Sequence, residues 1–394
     1  MNPAASRLLV VDDVEANRDL LARRLRQLGH EVALADGGAA ALAAVEREEF
    51  DLILLDVMMP GMDGYEVLQR LKGDPARRHI PVIMVTAVDQ IESVVRCIEL
   101  GATDYLPKPF NPVILKARVN ATLEQKKLRD RERLHALSLE RELEIGRQIQ
   151  ASFLPESLPE VDGWEIAASF HPARQVAGDF YDAFSLKSGR IGLVVADVCD
   201  KGVGAALFMA LFRSLIRASA DLAEHALPGV EDPVERAAAR VRNAVVFTND
   251  YIARTHAAAN MFATLFFGIL DPSTGALTYV NAGHEPPLLR SRESGLRRLP
   301  PTGPAVGLMP DRTFDVGRTT LAPGDLFLAF TDGVTDARNP SGEILGEERV
   351  VRLFQEASGS AADLLAAIDA ALAAHGSGAE SFDDVTMLAV LRSA

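Results

Sequence analysis

The stretch "NPVILKARVNATLEQKKLRDRERLHALSLERELEIGRQIQASFLP" (residues 111–155) contains no Gly or Pro between Pro112 and Gly146. Nothing inside it breaks a helix, so it reads as one long helix. Its apolar positions (Leu123, Leu128, Leu134, Leu137, Leu139, Leu143, Ile145, Ile149 and Phe153) recur at mixed spacings of two to six. A strict coiled coil holds its a and d positions over three or four heptads, so this seam is imperfect. It predicts helix pairing over part of the length, with a solvated spacer as the alternative. Motif-rich sequence lies on both sides, and a helix that joins two sites can carry a signal between them.

The 394 residues exceed one ordinary core, and at about 100–200 residues per domain they predict two or three domains. Hydrophobic content of 48% with 24% charged residues is that of a globular chain. A net charge of −14 argues against a nucleic-acid partner, which needs a concentrated basic face. The basic run Lys126–Arg133 is interleaved with acids and reads as a solvated helix face. Cys97 and Cys199 stand far apart, which predicts neither a disulfide framework nor a zinc site and fits a reducing compartment. No apolar run is read as reaching the ~20 residues of a membrane span. The expectation is a cytoplasmic protein without a membrane or nucleic-acid partner.

N-terminal to the long helix, short apolar runs at 7–11, 31–35, 51–55, 81–85 and 104–107 alternate with helix patterns at 15–28, 38–47, 64–72 and 91–100. Strands that are apolar throughout, alternating with helices, imply a parallel sheet covered on both faces. In such a sheet ligands gather beyond the carboxyl ends of the strands. Asp12 and Asp13 follow the first run, Asp56 the third, Thr86 the fourth and Lys108 the fifth. Converging carboxylates repel each other and suit a hard cation, with magnesium the natural candidate. A lysine and a hydroxyl nearby suit a phosphoryl group on one carboxylate.

The motifs "VVDDVEANR", "LLDVMMPGMDGYEVL", "VIMVTA" and "DYLPKPF" together resemble a two-component response-regulator receiver domain over about residues 6–122. The resemblance implies a flavodoxin-like, five-stranded α/β fold with Asp56 as phosphoacceptor. It further implies Mg2+ held by Asp12, Asp13, Asp56 and the Met58 backbone carbonyl, with Lys108 on the phosphoryl oxygens. Thr86 and Tyr105 match the family's switch pair, the Lys108–Pro109 bond is expected cis, and a cognate histidine kinase is the implied donor.

C-terminal to the long helix, Pro155 and Pro159 break it and open a second region. Strand candidates "WEIAASFHPA", "GDFYDAFSL", "RIGLVVADVC", "MFATLFFGILD", "ALTYVNAGH", "PPLLRS", "DLFLAFTD" and "DVTMLAVLR" surround helix pairs at 204–221 with 233–255 and at 347–356 with 361–374. That order predicts antiparallel sheets packed face to face with helices outside, an α+β sandwich. Asp179, Asp197, Asp332, Asp383 and Asp384 stand beside strongly apolar strands, where an isolated carboxylate is costly to bury. Oxygen ligands without His or Cys point to manganese or magnesium, and two adjacent metals suit phosphate-ester hydrolysis.

The joint pattern "GDFYDAF", "ADVCDKGVGAALFMAL", "YVNAGHEPPLL", "PGDLFLAFTDGVTDARN" and "DDVTMLAVLR" resembles the PPM-type metal-dependent serine/threonine phosphatases, in the bacterial branch similar to SpoIIE and RsbU. By that resemblance Asp197 bridges two Mn2+ or Mg2+ ions, Val198 contributes its carbonyl, and Asp179, Asp332 and Asp383 complete the set. Asp384 is expected behind the ligands, and Arg174 is a candidate for holding substrate phosphate. The implied chemistry is attack of a metal-activated water on phosphoserine or phosphothreonine. The implied substrate is a phosphorylated anti-sigma-factor antagonist of the STAS type in a partner-switching pathway.

His284 in "NAGHEPP" is read as shaping the fold, and "DKGVGAAL" as a tight turn, since it lacks the Gly-Lys-Ser/Thr ending of a nucleotide loop. His171, His225, His256 and His375 show no metal-site spacing. The expected division is 1–122 receiver, 123–154 helical linker and 155–394 phosphatase. The leading reading is a homodimeric phosphatase controlled through Asp56; a non-catalytic adaptor and a dimeric scaffold stand as alternatives.

Overall fold

The computed structural model describes residues 5–87, 91–222, 232–377 and 383–393. The chain divides into two compact units, Met1–Leu139 and Glu140–Ala394. The division falls inside a single helix.

The first unit runs β1 (Arg7–Val11), α1 (Glu15–Gln27), β2 (Glu31–Ala35), α2 (Gly38–Arg47), β3 (Leu52–Asp56), α3 (Gly64–Gly73), β4 (Val82–Ala87), α4 (Ile91–Glu99), β5 (Asp104–Lys108) and the start of α5 (Pro112–Ala151). Its five strands form one parallel sheet in the order β2-β1-β3-β4-β5. The apolar runs of β1, β3 and β4 are continuous because each of these strands is buried on both faces. Leu9, Val11, Ile53, Leu55, Val82 and Met84 face α2 and α3, whose Ala41, Val45, Val67, Leu68 and Leu71 cover them. The intervening Leu8, Val10, Leu52, Leu54, Ile83 and Val85 face α1 and α5. This is the expected doubly wound parallel sheet, and the Lys108–Pro109 bond is cis, as expected.

Helix α5 is one uninterrupted element of 40 residues. The Asn111 side chain accepts from the Val113 amide at 2.9 Å, and Pro112, which has no N–H to satisfy, takes the first helical position. Leu115, Val119 and Leu123, spaced by four, bury one stripe against Leu21 and Leu25. Beyond them Leu128, Leu134, Leu137, Leu139, Ile145 and Ile149 are exposed. At the far end the buried Gln150 side chain donates to the Ala177 carbonyl at 2.6 Å and accepts from its amide at 2.9 Å. That pair of bonds fixes the last turn of α5 within the second unit.

The second unit continues with β6 (Trp164–His171), β7 (Phe180–Ser185), β8 (Ile191–Val198), α6 (Val203–Leu222), α7 (Pro233–Thr255), β9 (Ala263–Leu270), β10 (Ala276–Ala282), β11 (Leu288–Ser291), β12 (Gly295–Arg298), β13 (Gly317–Thr320), β14 (Leu326–Phe330), α8 (Asp332–Thr335), α9 (Glu347–Glu356), α10 (Ala361–Gly376) and β15 (Val385–Arg392). Two antiparallel sheets result, β13-β10-β9-β8-β7 and β12-β11-β14-β15-β6. Period-two alternation sorts their side chains. In β8, Leu193 and Val195 point between the sheets, while Val194, Ala196 and Val198 pack under α6 and α7. In β14, Phe327 and Ala329 point between the sheets, while Leu326, Leu328 and Phe330 pack under α9 and α10. The layers are therefore helices, sheet, sheet, helices, which is the predicted sandwich.

The short edge strands β12 and β13 were not anticipated, because "GLRR" and "GRTT" carry almost no apolar signal. Helix α6 qualifies a second expectation: its 20 residues are long and apolar enough to span a membrane by composition. It is instead a core helix, burying Ala205, Met209, Phe212, Ile216 and Ala220 in the domain interior.

Phe327 is fully buried between the sheets, its ring centroid 5.5 Å from that of Phe266. Phe327→Ala should destabilise the second unit by about 3–5 kcal/mol, the usual cost of emptying a core phenylalanine site. Urea unfolding followed by Trp164 fluorescence would show this as a lowered midpoint; an unchanged midpoint would place the ring outside the core.

Candidate functional site

In the first unit Asp12, Asp13, Asp56 and Lys108 all stand at the carboxyl edge of the parallel sheet. One carboxylate oxygen from each of the three aspartates lies within 4.8 Å of the others. Lys108 Nζ donates to Asp12 Oδ2 and Asp56 Oδ1, at 2.9 Å each. Burial pushes the Asp56 carboxyl above its ordinary range, Lys108 pulls it down, and Asp12 and Asp13 push it up further. Burial works against the Lys108 ammonium, but its bonds to Asp56 and Asp12 prevail and raise it. Three carboxylates against one ammonium leave a net negative, oxygen-only donor set, which fits a hard divalent cation.

Glycine at position 64 is required, since a Cβ there would stand 2.2 Å from the Asp56 carbonyl oxygen. That close approach lets α3 start directly beneath β3 and fixes the chain after Asp56. Met58 lies two residues beyond, with its side chain 77% exposed. Thr86 is buried in β4, and Tyr105 in β5 is half-buried with the Arg118 guanidinium 4.7 Å from its ring centroid.

In the second unit the aspartates come from both sheets. Asp179 directly precedes β7 and Asp197 lies near the end of β8, in one sheet; Asp332 follows β14 while Asp383 and Asp384 precede β15, in the other. Antiparallel pairing aligns these ends: Phe180 is opposite Ala196, and Phe330 opposite Met387. Asp179 is almost wholly buried, and its Oδ2 accepts from Thr331 Oγ1 at 2.6 Å and Thr386 Oγ1 at 2.8 Å. Burial, then Asp197, pushes the Asp179 carboxyl well above its ordinary range. Burial and the neighbouring Asp332 lift Asp197 to about 6, with Asp383 and Asp384 adding to the effect. Asp332 is raised by burial and by Asp383. Mutual repulsion of this kind is relieved by protons or by cations, so this set too fits divalent metal.

Asp384 does something different. Its two oxygens accept from the Ala173 and Gly178 amides, at 2.8 Å each, tying the segment before β7 to the start of β15. Asp383 is paired with Lys201 Nζ at 2.8 Å. Among the described residues the second unit holds no trio of carboxylates as tight as that of Asp12, Asp13 and Asp56. Arg174 is exposed and makes no ion pair among the described residues. His284 is buried, its Nδ1 3.0 Å from Thr264 Oγ1 and its amide donating to Asn281 Oδ1 at 2.8 Å. Burial lowers its pKa to about 4, so a neutral ring shapes this turn. His171 and His375 bond to Asp369 and the Glu343 carbonyl, and His225 lies outside the described residues.

Sequence reading passed over Thr331, Thr386, Lys201 and two glycines. A Cβ at Gly178 would stand 2.7 Å from the Val198 carbonyl oxygen, and one at Gly333 would stand 1.9 Å from that of Asp384. The "GD" and "TDG" motifs thus need glycine because backbone segments from distant parts of the chain touch there. Glu285 also belongs to this neighbourhood, its carboxyl raised by burial and by Asp332.

The SpoIIE family, described as stage II sporulation protein E, matches residues 187–393, and the response regulator receiver domain matches residues 8–120. Protein IcfG of Synechocystis sp. (strain ATCC 27184 / PCC 6803 / Kazusa) is 46% identical over 266 residues, 64% of this chain and 42% of that protein. Response regulator PleD of Caulobacter vibrioides is 50% identical over 117 residues, 30% of this chain and 26% of PleD. The chain thus spans less than half the length of either relative. The SiaA-PP2C domain of Pseudomonas aeruginosa superposes with a TM-score of 0.50 at 24% identity, over 66% of this chain and 99% of that domain, a likeness of fold. With a matched region of more than half its length, the chain belongs to the SpoIIE family, carrying a PPM-type phosphatase domain behind an N-terminal response-regulator receiver domain.

Proposed function

We propose that the chain is a response regulator in which phosphorylation of Asp56 controls a metal-dependent protein serine/threonine phosphatase. The observation that carries this reading is the gathering of Asp179, Asp197, Asp332 and Asp383, from four separated segments, at one end of paired sheets in a chain of this family. In functional terms the chain divides into a receiver at 1–122, a helical linker at 123–154 and the phosphatase at 155–394.

Asp197 is the residue we assign as the bridge between two metal sites, with Asp332, Asp383, Asp179 and the Val198 carbonyl around it. When bound, the divalent cations, Mn2+ or Mg2+, would neutralise phosphate charge and lower the pKa of a water. Thr331 and Thr386 hold Asp179 in one rotamer by donating to its inner oxygen. Asp384 holds the preceding loop against β15. Arg174, exposed at the same end of the domain, is our candidate for contact with substrate phosphate. In the receiver, Asp12, Asp13, Asp56 and the Met58 carbonyl would hold Mg2+, and Lys108, already on Asp56, would stay with the added phosphoryl oxygens.

Family resemblance names the partners: a cognate histidine kinase as donor, and a phosphorylated STAS-type anti-sigma-factor antagonist as substrate. The exposed leucines of α5, Leu128, Leu134, Leu137 and Leu139, support a homodimer. Thr86 and Tyr105 are the residues proposed to move when Asp56 is phosphorylated, and α5 is the element proposed to carry that change onward.

Asp197→Ala should abolish manganese-dependent hydrolysis of a generic aryl phosphate while the receiver still takes phosphate from acetyl phosphate. Asp332→Asn and Asp383→Asn should be severely impaired; substantial residual turnover in Asp197→Ala would put the bridge elsewhere.

Asp56→Ala should take no phosphate from the same donor, and the wild-type product should be lost in alkali and cleaved by neutral hydroxylamine to a hydroxamate, as an acyl phosphate is. Phosphate found on serine or histidine would overturn the receiver assignment.

Two glycines inserted beside Arg133 should leave both sites chemically intact but uncouple them, because they weaken the helix and shift its phase. The rate should rise several-fold with phosphodonor in wild type and stay flat in the insertion variant; equal responses would make α5 a tether only.

A further inference from the structure

At the edge of the receiver sheet opposite Asp56, a cleft of about 500 Å³ opens between α5 and the loops that lead into β4 and β5. That volume falls in the range of small-molecule sites. Its walls carry Lys72, Arg78, His79, Lys126, Arg129 and Arg133. Asp130 is the one acidic residue in the lining. Lys126 alone meets acids, with Nζ 2.9 Å from both Asp51 Oδ1 and Asp130 Oδ2. Arg78, Arg129 and Arg133 make no ion pair among the described residues. Lys72 Nζ donates to the Arg78 and Ile80 carbonyls, at 3.1 and 2.7 Å, which anchors the loop that presents Arg78 and His79. Burial and then the charge of Arg129 hold the Lys72 ammonium below its ordinary pKa, so the two cations feel each other across the cleft.

Such a cluster is out of keeping with a chain holding 55 acidic against 41 basic residues. Like charges brought together around a concave surface are stabilised by a multivalent anion, and guanidinium groups match phosphate oxygens two at a time. Pro81 and Ala102 are the apolar residues of the lining, beside Gly101, and it contains no phenylalanine, tyrosine or tryptophan. The chemistry on offer is therefore for phosphate groups, with little to hold a nucleobase.

We propose that this cleft is an effector site for a small polyphosphate anion, recognised through its linked phosphates, which on binding clamps the stem of α5 to the body of the receiver. Arg129 and Arg133 come from the helix, whereas Lys72, Arg78 and His79 come from the receiver body. An anion held by both groups ties them together. The site stands apart from Asp56 and does not depend on the phosphatase assignment.

Calorimetric titration of the full chain with inorganic pyrophosphate, in EDTA and at physiological salt, tests this without loading either carboxylate cluster with metal. Saturable one-site binding is expected. Arg129→Glu, on an exposed helix position where glutamate is a good helix former, should weaken it by about tenfold or more, and Arg129→Lys should retain part of it. Asp56→Asn and Asp197→Asn should bind as wild type does. ATP should bind no more tightly than inorganic tripolyphosphate. Absence of saturation, wild-type binding by an Arg129→Glu variant with unchanged circular dichroism, or loss of binding in Asp56→Asn would each overturn the proposal. So would ATP binding where the inorganic anions do not bind.

Discussion

Asp197 stands among Asp179, Asp332, Asp383 and Asp384, and the repulsion between these buried and half-buried groups is the constraint that the second unit is shaped to bear. The backbone hydrogen-bonding of the two sheets resists it from outside. Hydroxyls of Thr331 and Thr386 and the amides of Ala173 and Gly178 resist it from inside, each donating a hydrogen bond to a carboxylate oxygen. The receiver solves the same problem with different means: a single lysine, shared between Asp12 and Asp56. In both units the strands deliver charge to one edge, and packing behind that edge leaves the side chains little freedom to separate.

The parallel sheet and the sandwich were legible because their signals are periodic. Runs such as "LLVV" (8–11) are apolar throughout because both faces are covered, whereas in β8 and β14 neighbouring residues divide between the two sides of a sheet. The same physics explains what was not legible. Edge strands β12 and β13 each have only one pairing neighbour, so arginine and threonine serve there as well as valine does. Local sequence likewise places an aspartate at a strand end without saying what meets it. Thr331 looks like part of a turn and Thr386 like an ordinary strand residue, until β14 and β15 pair and bring both hydroxyls to Asp179. Asp383 and Asp384 are adjacent and chemically identical, yet one turns to Lys201 and the other to backbone amides 206 and 211 positions away. Only the fold separates their roles.

Helix α5 shows how composition can mislead about environment. Its sequence is mixed in charge and spacing along its whole length, but the structure divides it sharply. Three turns are pinned under the receiver sheet by Leu115, Val119 and Leu123, a middle stretch exposes its leucines, and a final turn is captured by Gln150. The stretch read as a solvated face, Lys126–Arg133, is largely exposed, and its Lys126, Arg129, Asp130 and Arg133 also line a cleft, because α5 passes over loops that bring their own cations. Charge patterning along one helix cannot reveal what a neighbouring loop contributes.

Asp179 belongs to one sheet of the sandwich, and both hydroxyls that hold it belong to the other. Neither sheet alone contains the arrangement, and one of the two threonines sits on β15, which is made after every other strand of the domain. A chain still emerging from the ribosome, or one whose sheets have not yet closed on each other, therefore lacks the two hydrogen bonds that hold Asp179. The hydrogen-bonded form of Asp179 thus reports that synthesis has passed Thr386 and that both sheets of the domain have found each other, long after the N-terminal receiver is complete.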